Sequence, residues 1–211
     1  AVFTVTNGQV VAIDGKTARR SHDKNSGKAA IHLVSAWASE NGIVLGQRKV
    51  DDKTNEITVI PDLLRLLNVS GCLVTIDAMG CQTEIAKVIR DEKADYLLQV
   101  KDNQAKLRQD LEDWFVHGDQ QDFRDMTMNY HKAVSKTNGR VEIRQCWAIA
   151  DPIAMEHIRH YDGWVDLKTI VRVQRETRIG NKTTHETAYY ITSLTHDAQR
   201  ILEATRHHWT I

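Results

Sequence analysis

The stretch Val10-Val11-Ala12-Ile13-Asp14-Gly15-Lys16 decides the expected fold. Its first four residues are apolar, and the two valines and the isoleucine are β-branched, which is typical of a buried β-strand. The apolar run leads directly into a carboxylate, so we expect this strand to end in an exposed acid. Asp14 is therefore the first candidate functional residue.

A second stretch repeats this design, because Cys72-Leu73-Val74-Thr75-Ile76 leads into Asp77-Ala78-Met79-Gly80. Two such strands lying side by side would bring both carboxylates to one edge of a sheet. Paired carboxylates suit magnesium or manganese, which favour oxygen ligands and keep several waters. The alternative is that each aspartate caps the element that follows it. The repetition favours the metal site, and both interpretations stay open.

The length and composition are typical of a globular protein with a full core. The 211 residues allow one large domain, or one domain with a sizeable insertion. Hydrophobic residues make up 41% and charged residues 27% of the chain. The 28 basic and 28 acidic residues balance, so no global field indicates a nucleic-acid partner, although local basic clusters remain, such as the run from Lys16 to Lys28.

Cysteine usage and hydropathy indicate the compartment. Cys72, Cys81 and Cys146 are too few and too irregularly spaced for a disulfide framework or a zinc knuckle. Their apolar neighbours predict buried thiols in a reducing compartment. No apolar run approaches the ~20 residues of a membrane span, and no signal peptide is visible. We therefore expect a cytoplasmic protein without a membrane partner.

The order of elements up to Gly118 predicts the fold class. The Asn41-Gly42 pair between two β-prone runs predicts a hairpin, so the first three strands form an antiparallel meander. Helical and strand patterns then alternate, which predicts an α/β fold with a mixed sheet flanked by helices. This order matches the ribonuclease H-like arrangement, in which the first and fourth strands are neighbours. A metal site shared by Asp14 and Asp77 requires that adjacency.

Beyond Gly118 the pattern changes to alternating, β-prone runs. These runs are separated by Asn138-Gly139, Asp162-Gly163 and Gly180-Asn181, each of which predicts a hairpin turn. We therefore expect three parts: a catalytic core over residues 1–118, a β-rich insertion over 119–194, and the start of a final, truncated core helix over 195–211.

Six short motifs carry a resemblance to a known family. They are Ala12-Ile13-Asp14-Gly15-Lys16-Thr17, Ser35-Ala36-Trp37, Lys53-Thr54-Asn55-Glu56-Ile57, Thr75-Ile76-Asp77-Ala78-Met79-Gly80-Cys81-Gln82, Lys101-Asp102-Asn103-Gln104 and Gly139-Arg140-Val141-Glu142. With these motifs the chain resembles the H-repeat-associated proteins, a branch of the DDE transposases of bacterial insertion sequences. The resemblance extends over essentially the whole chain.

The resemblance implies a ribonuclease H-like catalytic domain in which two aspartates and a glutamate hold two divalent metal ions, Mg²⁺ or Mn²⁺. By motif, Asp14 is the first acid and Asp77 the second. Lys101, Asn103 and Gln104 resemble a segment that lies near the active site and contacts DNA.

The third acid of this family is expected on a late helix, after a pattern of the form Arg-x-His-Trp-x-Ile. Arg206, His208, Trp209 and Ile211 fit that pattern, and the sequence stops before the glutamate. The resemblance therefore implies an inactive fragment that lacks its third ligand.

Glu142 is the other candidate for the third acid, because it also lies in a family-like motif. Against this role, it lies in a predicted strand of the insertion and is flanked by Arg140 and Arg144. We favour a structural ion pair for Glu142 over a metal ligand, since salt bridges between neighbouring acids and arginines are common.

The resemblance implies DNA as the partner, both transposon ends and target, with a homodimer assembled on DNA. Phosphate contacts come mostly from lysine and arginine. The candidate DNA-binding residues are Lys16, Arg19, Arg20, Lys101, Asn103, Gln104, Arg140 and Arg144. Three functions remain open: a DDE-type transposase domain for metal-dependent cleavage and transfer of DNA, here inactive; a non-catalytic DNA-binding or interaction protein derived from one; and a nuclease that uses Glu142.

Overall fold

The structure of the protein is a computed structural model that describes residues 7–17, 32–39, 42–50 and 56–208. The chain forms two compact units. One comprises Ala1–Tyr96 with His207–Ile211, and the other comprises Leu97–Arg206.

The first unit contains a meander followed by a parallel strand. Its strands are β1 (Val10–Thr17), β2 (His32–Ala38), β3 (Ile43–Val50), β4 (Leu73–Ile76) and the start of β5 (Asp95–Val100). Strand β2 pairs antiparallel with both β1 and β3, and β1 pairs parallel with β4. The amide of Asp95 donates to the carbonyl of Cys72 at 2.9 Å, which places the start of β5 beside β4. The resulting order, β3-β2-β1-β4-β5, is the expected ribonuclease H-like order.

The two central strands of this unit are buried. The side chains of Val11, Ala12, Ile13, Leu73 and Val74 are at most 1% exposed. Continuous apolar runs of this kind are typical of parallel strands that are covered on both faces. The short apolar runs before Asp14 and Asp77 are therefore the core of the unit that carries both acids.

Two amphipathic helices belong to the first unit, α1 (Glu56–Leu66) and α2 (Thr83–Asp91). Helix α1 packs on β2, β3 and α2. Apolar residues three and four apart form one face of each helix, and that face is buried. The buried residues include Leu63, Leu64, Ile85, Ala86 and Ile89.

The second unit is built on antiparallel strands. They are the end of β5, then β6 (Met128–Thr137), β7 (Arg140–Ile149), β8 (Thr169–Ile179) and β9 (Lys182–Thr192). The order is β5-β9-β8-β7-β6, and every neighbouring pair is antiparallel. The helices are α3 (Ala105–Gln120), α4 (Pro152–Glu156) and α5 (Ala198–His208), whose last two residues belong to the first unit.

Two of the three predicted hairpin turns are correct and one is wrong. Asn138 and Gly139 both have positive φ, at 47° and 76°, and close the turn between β6 and β7, while Gly180 lies in the turn between β8 and β9. The Asp162-Gly163 pair instead lies in a short 3₁₀ turn within the long connection between β7 and β8. That connection also contains α4, whose first amides are capped by the side chain of Asp151.

The predicted fold class, α/β with a large mixed sheet and flanking helices, is confirmed. The predicted core, insertion and final-helix boundaries remain predictions. The three cysteines are free and buried, as expected. Among the described residues, no helix is both long and apolar enough to cross a membrane.

Candidate metal and DNA site

Asp14 lies in β1, at the point where the pairing of β1 with β4 ends. The sequence predicted that the strand would end at this acid. The strand instead continues to Thr17, because its pairing with β2 extends three residues further, with Asp14 opposite Ser35. The Asp14 side chain is 26% exposed and forms an ion pair with the Lys16 ammonium at 3.3 Å. The carboxylate is thus partly accessible and has one exposed cation beside it.

Asp77 follows the last residue of β4 directly. One of its oxygens, Oδ1, accepts a hydrogen bond from the amide of Met79 at 3.1 Å and caps the 3₁₀ turn Ala78–Gly80. The capping interpretation is therefore correct for Asp77. It does not exclude a metal ligand, because a carboxylate has two oxygens with about four lone-pair sites.

The register of the two parallel strands brings the two acids to the same level. Ile13 is the partner of Ile76, and Asp14 and Asp77 are the residues that directly follow this pair in the sequence. Because side chains two residues apart point to the same face of a strand, Ala12, Asp14, Thr75 and Asp77 share one face. This register, which places one aspartate directly after each of two paired isoleucines, is the central feature of the site.

The same face receives the end of α5. Nδ1 of His208 and Oγ1 of Thr75 form a hydrogen bond of 3.1 Å, and Thr75 is 2% exposed. Thr75 precedes Asp77 by two residues, so this contact joins His208 to the strand that leads to the second acid. The sequence pattern placed His208 in a late helix but gave no signal for Thr75, since a threonine in an apolar strand is ordinary.

The donor set fits a hard divalent cation. Two carboxylates supply anionic oxygen, and Mg²⁺ is commonly held by one or two carboxylates with water and substrate phosphate as its other ligands. Residues 7–17, 32–39, 42–50 and 56–208 contain no group of three or more His, Cys, Asp or Glu side chains that could hold a metal ion. A complete all-protein cage is therefore not present in that part of the chain.

Glu142 lies in β7, in the second unit, and is only 9% exposed. Its Oε2 accepts from Arg140 at 2.6 Å, and its Oε1 lies 2.7 Å from Nε of Arg144. Burial raises the pKa of this carboxyl, but the charge of Arg144 and the hydrogen bond and charge of Arg140 outweigh burial and hold the pKa below its ordinary value. Glu142 thus forms the ion pairs that we favoured, and its role as a metal ligand stays a prediction.

The other candidate DNA-binding residues are distributed over both units. The side chains of Lys16 and Arg140 are 55% and 49% exposed, whereas that of Arg144 is 17% exposed. Lys101 and Asn103 are exposed and Gln104 is half-buried, at the 3₁₀ turn Asp102–Gln104 that begins α3. Arg19 and Arg20 lie outside the described residues. The DNA contacts of the whole group stay predictions.

Comparison with known proteins gives the family. A family model described as the transposase DDE domain matches residues 6–211. The chain therefore belongs to the transposase DDE domain family.

Relatives confirm the resemblance to H-repeat-associated transposases. The sequence is 41% identical over 210 residues to "Putative transposase YncI" of Escherichia coli O157:H7, covering 98% of this chain and 53% of the relative. It is 36% identical over 209 residues to "H repeat-associated putative transposase YhhI" of Escherichia coli (strain K12), covering 96% of this chain and 53% of the relative. The chain thus spans about half the length of these curated relatives.

A solved structure is also similar to this chain. It is the cryo-EM structure of the piggyBac transposase synaptic complex with hairpin DNA, with a TM-score of 0.46 and 12% sequence identity. The similarity covers 96% of this chain and 38% of that chain. At this score and identity, the likeness adds nothing to the family assignment.

Proposed function

We propose that this chain carries two of the three acids of the catalytic core of a DDE-type transposase, an enzyme that cleaves DNA strands and transfers them in a metal-dependent reaction, and that it is inactive without the third acid. The observation that carries the proposal is the parallel register of β1 and β4, in which Ile13 faces Ile76 and the residue that directly follows each isoleucine is an aspartate. Family membership supplies the reaction class, and the pair of carboxylates supplies the chemistry that such a reaction needs.

Asp14 and Asp77 would hold Mg²⁺ or Mn²⁺. When bound, a pair of such cations activates an attacking oxygen and stabilises the leaving oxygen of an in-line displacement at phosphorus. The chain orients one ligand in advance, since the amide of Met79 fixes Oδ1 of Asp77. Lys16 neutralises Asp14 through their ion pair and is long enough to turn toward a phosphate.

Transposon ends and target DNA are the proposed partners, in a homodimer assembled on DNA. Contacts to DNA phosphates would come from lysine and arginine, and such binding weakens as salt rises. Since the relatives are proteins of Escherichia coli and the proposed substrate is DNA, we place the protein in the cytoplasm.

A second candidate is a non-catalytic DNA-binding or interaction protein derived from a transposase. It is favoured by one observation, that the described residues contain no group of three potential metal ligands. Glu142 does not readily complete a triad, because a metal ion would have to displace two arginines from its carboxylate. The two candidates differ in whether the chain binds a divalent cation at Asp14 and Asp77.

Calorimetric titration of Mn²⁺ separates the two candidates. We expect binding by the wild-type chain and loss of binding in Asp14→Asn and in Asp77→Asn. Asp91→Asn is the matched control, because Asp91 is a 58% exposed acid of the same unit whose partner is Lys87. Thermal unfolding verifies that each variant folds.

Each outcome of that titration decides between the candidates. If Asp14→Asn binds Mn²⁺ as tightly as wild type, the shared carboxylate site is wrong. If the wild-type chain binds no Mn²⁺, the non-catalytic function is favoured. Where Mn²⁺ binds, nicking of a supercoiled plasmid in its presence tests the activity itself.

A further inference from the structure

A notch with two arginines in its lining lies in the second unit, beside α5. Two neighbouring strands line it, with His131, Ala133, Val134 and Ser135 of β6 and with Glu142 and Arg144 of β7. Leu202, Glu203 and Arg206 of α5 complete it. Its volume is about 160 Å³. Because a water molecule occupies about 30 Å³ in the liquid, the notch has room for a small hydrated anion.

The arginines of this notch are held in place by a single acid. Each oxygen of Glu142 pairs with a different guanidinium, at 2.6 Å for Arg140 and 2.7 Å for Arg144. A guanidinium has five N–H donors in a fixed fork. Each arginine therefore orients itself with one contact and retains further donors for a second anion.

Arg144 lies among like charges. Its partner in the register of β7 and β8 is Arg175, and like charges directly opposite each other on neighbouring strands are destabilising. Burial lowers the pKa of Arg144, Glu142 raises it, and the charges of Arg175 and Arg206 lower it further. An anion in the notch would relieve this repulsion.

Arg206 is the arginine of this group that lacks a partner. It is exposed, and among residues 7–17, 32–39, 42–50 and 56–208 it has no hydrogen bond or ion pair. By contrast, Arg175 pairs with Glu186. The lining of the notch has two arginines, Arg144 and Arg206, and two acids, Glu142 and Glu203. Outside the lining, Arg140 pairs with Glu142 and Arg175 pairs with Glu186. Over these seven side chains the formal balance is one positive charge.

We propose that this notch binds a phosphate group, with Arg144 and Arg206 as its principal donors, Arg140 at its rim and Glu142 as the residue that positions the fork. Arginine is the side chain best suited to phosphate, because its planar N–H fork matches two phosphate oxygens. The choice of a DNA phosphodiester as the source of the phosphate rests on the proposed function. Binding of an anion rests on the notch alone.

The test is the salt dependence of binding to a fluorescent DNA duplex, measured by anisotropy with EDTA present. Removing one phosphate contact lowers the slope of log K against log salt by about 0.9. We expect that change for Arg206→Gln. Glu203→Gln removes an opposing charge and should strengthen binding. Arg178→Gln is the matched control, because Arg178 is a 55% exposed arginine of the same unit that pairs with Glu176 away from the notch.

A second arm distinguishes DNA from free phosphate. Inorganic phosphate is titrated against the wild-type chain and Arg206→Gln at constant ionic strength, followed by the amide NMR shifts of Arg144 and Arg206. Saturable shifts that are lost in the variant support the notch, and DNA competition for them identifies a phosphodiester. Saturable phosphate binding without DNA binding identifies free phosphate as the ligand.

Two results would overturn the inference. One is an equal decrease in the slope of log K against log salt for Arg206→Gln and Arg178→Gln. That result would indicate diffuse electrostatic attraction of DNA to the protein surface. The other is the absence of both DNA binding and saturable phosphate binding in the wild-type chain. Since EDTA removes divalent cations, neither result depends on Asp14 and Asp77, so failure of the notch is distinguishable from failure of the metal site.

Discussion

Replacing Gly80 with alanine should disturb the strand that carries Asp77. A Cβ atom at Gly80 would lie 2.3 Å from Cγ2 of Ile76 and 3.2 Å from its Cβ. Carbon atoms pack best at about 3.5–4.0 Å, so one of the two groups must move by more than about 1 Å. Ile76 is 3% exposed and β-branched, so its side chain has little freedom to turn away.

The expected cost of this substitution follows from overpacking. Extra methyl groups in a packed core typically cost about 1–3 kcal/mol, and we expect Gly80→Ala to lower the free energy of unfolding by that amount. Since Ile76 is the partner of Ile13 and immediately precedes Asp77, movement of Ile76 also displaces the second carboxylate relative to Asp14. Mn²⁺ affinity should therefore fall together with stability.

Urea unfolding and Mn²⁺ calorimetry measure both effects, with Gly46→Ala as the control. A Cβ at Gly46 would approach only the ends of two flexible side chains, Leu63 Cδ1 at 3.2 Å and Leu67 Cδ2 at 3.4 Å. That variant should be close to wild type in both assays. The reasoning is refuted if Gly80→Ala matches the wild-type protein within about 0.5 kcal/mol and binds Mn²⁺ equally well.

Two further predictions concern ion pairs of the second unit. Arg172 is 7% exposed, forms a two-bond fork with the 51% exposed Asp119 at 2.6 and 2.8 Å, and lies 4.3 Å from the ring centre of Trp147. Asp119→Asn leaves the buried charge of Arg172 without its partner and should lower the free energy of unfolding by about 2 kcal/mol. Arg172→Met leaves only a hydrated carboxylate and should lower it by about 1 kcal/mol or less. Urea unfolding measures both variants, and a larger loss for Arg172→Met would contradict the argument. Because the folded-state pKa of Glu142 is lowered, its stabilising contribution is present above the ordinary carboxyl pKa of about 4.3 and is lost as pH falls through the folded value. The stability advantage of wild type over Glu142→Gln should thus be constant from about pH 7 to 5 and shrink below about pH 4; an advantage that does not change at low pH would contradict the ion pairs.

Much of the first unit could be predicted from local pattern. The apolar runs before Asp14 and Asp77, the Asn41-Gly42 turn and the helical spacing of Leu63 and Leu64 are all short-range signals. They gave the meander, the alternating units and the two candidate acids. The main error in local prediction was the hairpin turn at Asp162-Gly163. The connection that contains this pair also contains helix α4, whose start is signalled by the Asp151 cap and the proline that follows it, and the prediction did not include this helix.

Contacts between residues distant in the chain could not be predicted in this way. The fork of Glu142 with Arg140 and Arg144 was predicted from neighbouring residues in one strand, but the approach of Arg206 to Arg144 joins positions on α5 and β7. The contact of Thr75 with His208 likewise joins a buried strand to a helix far along the chain. No periodicity or spacing encodes either contact.

The sequence by itself determined most of the strands and longer helices, and which two strands have apolar runs that lead into an acid, because those features depend on residues within a few positions of each other. Only the tertiary structure decided that Ile13 lies opposite Ile76 and that Arg206 lies near Arg144. Strand register and side-chain clustering result from packing of the whole core, where a shift of one residue would turn every side chain to the other face. The two aspartates become a site through that register.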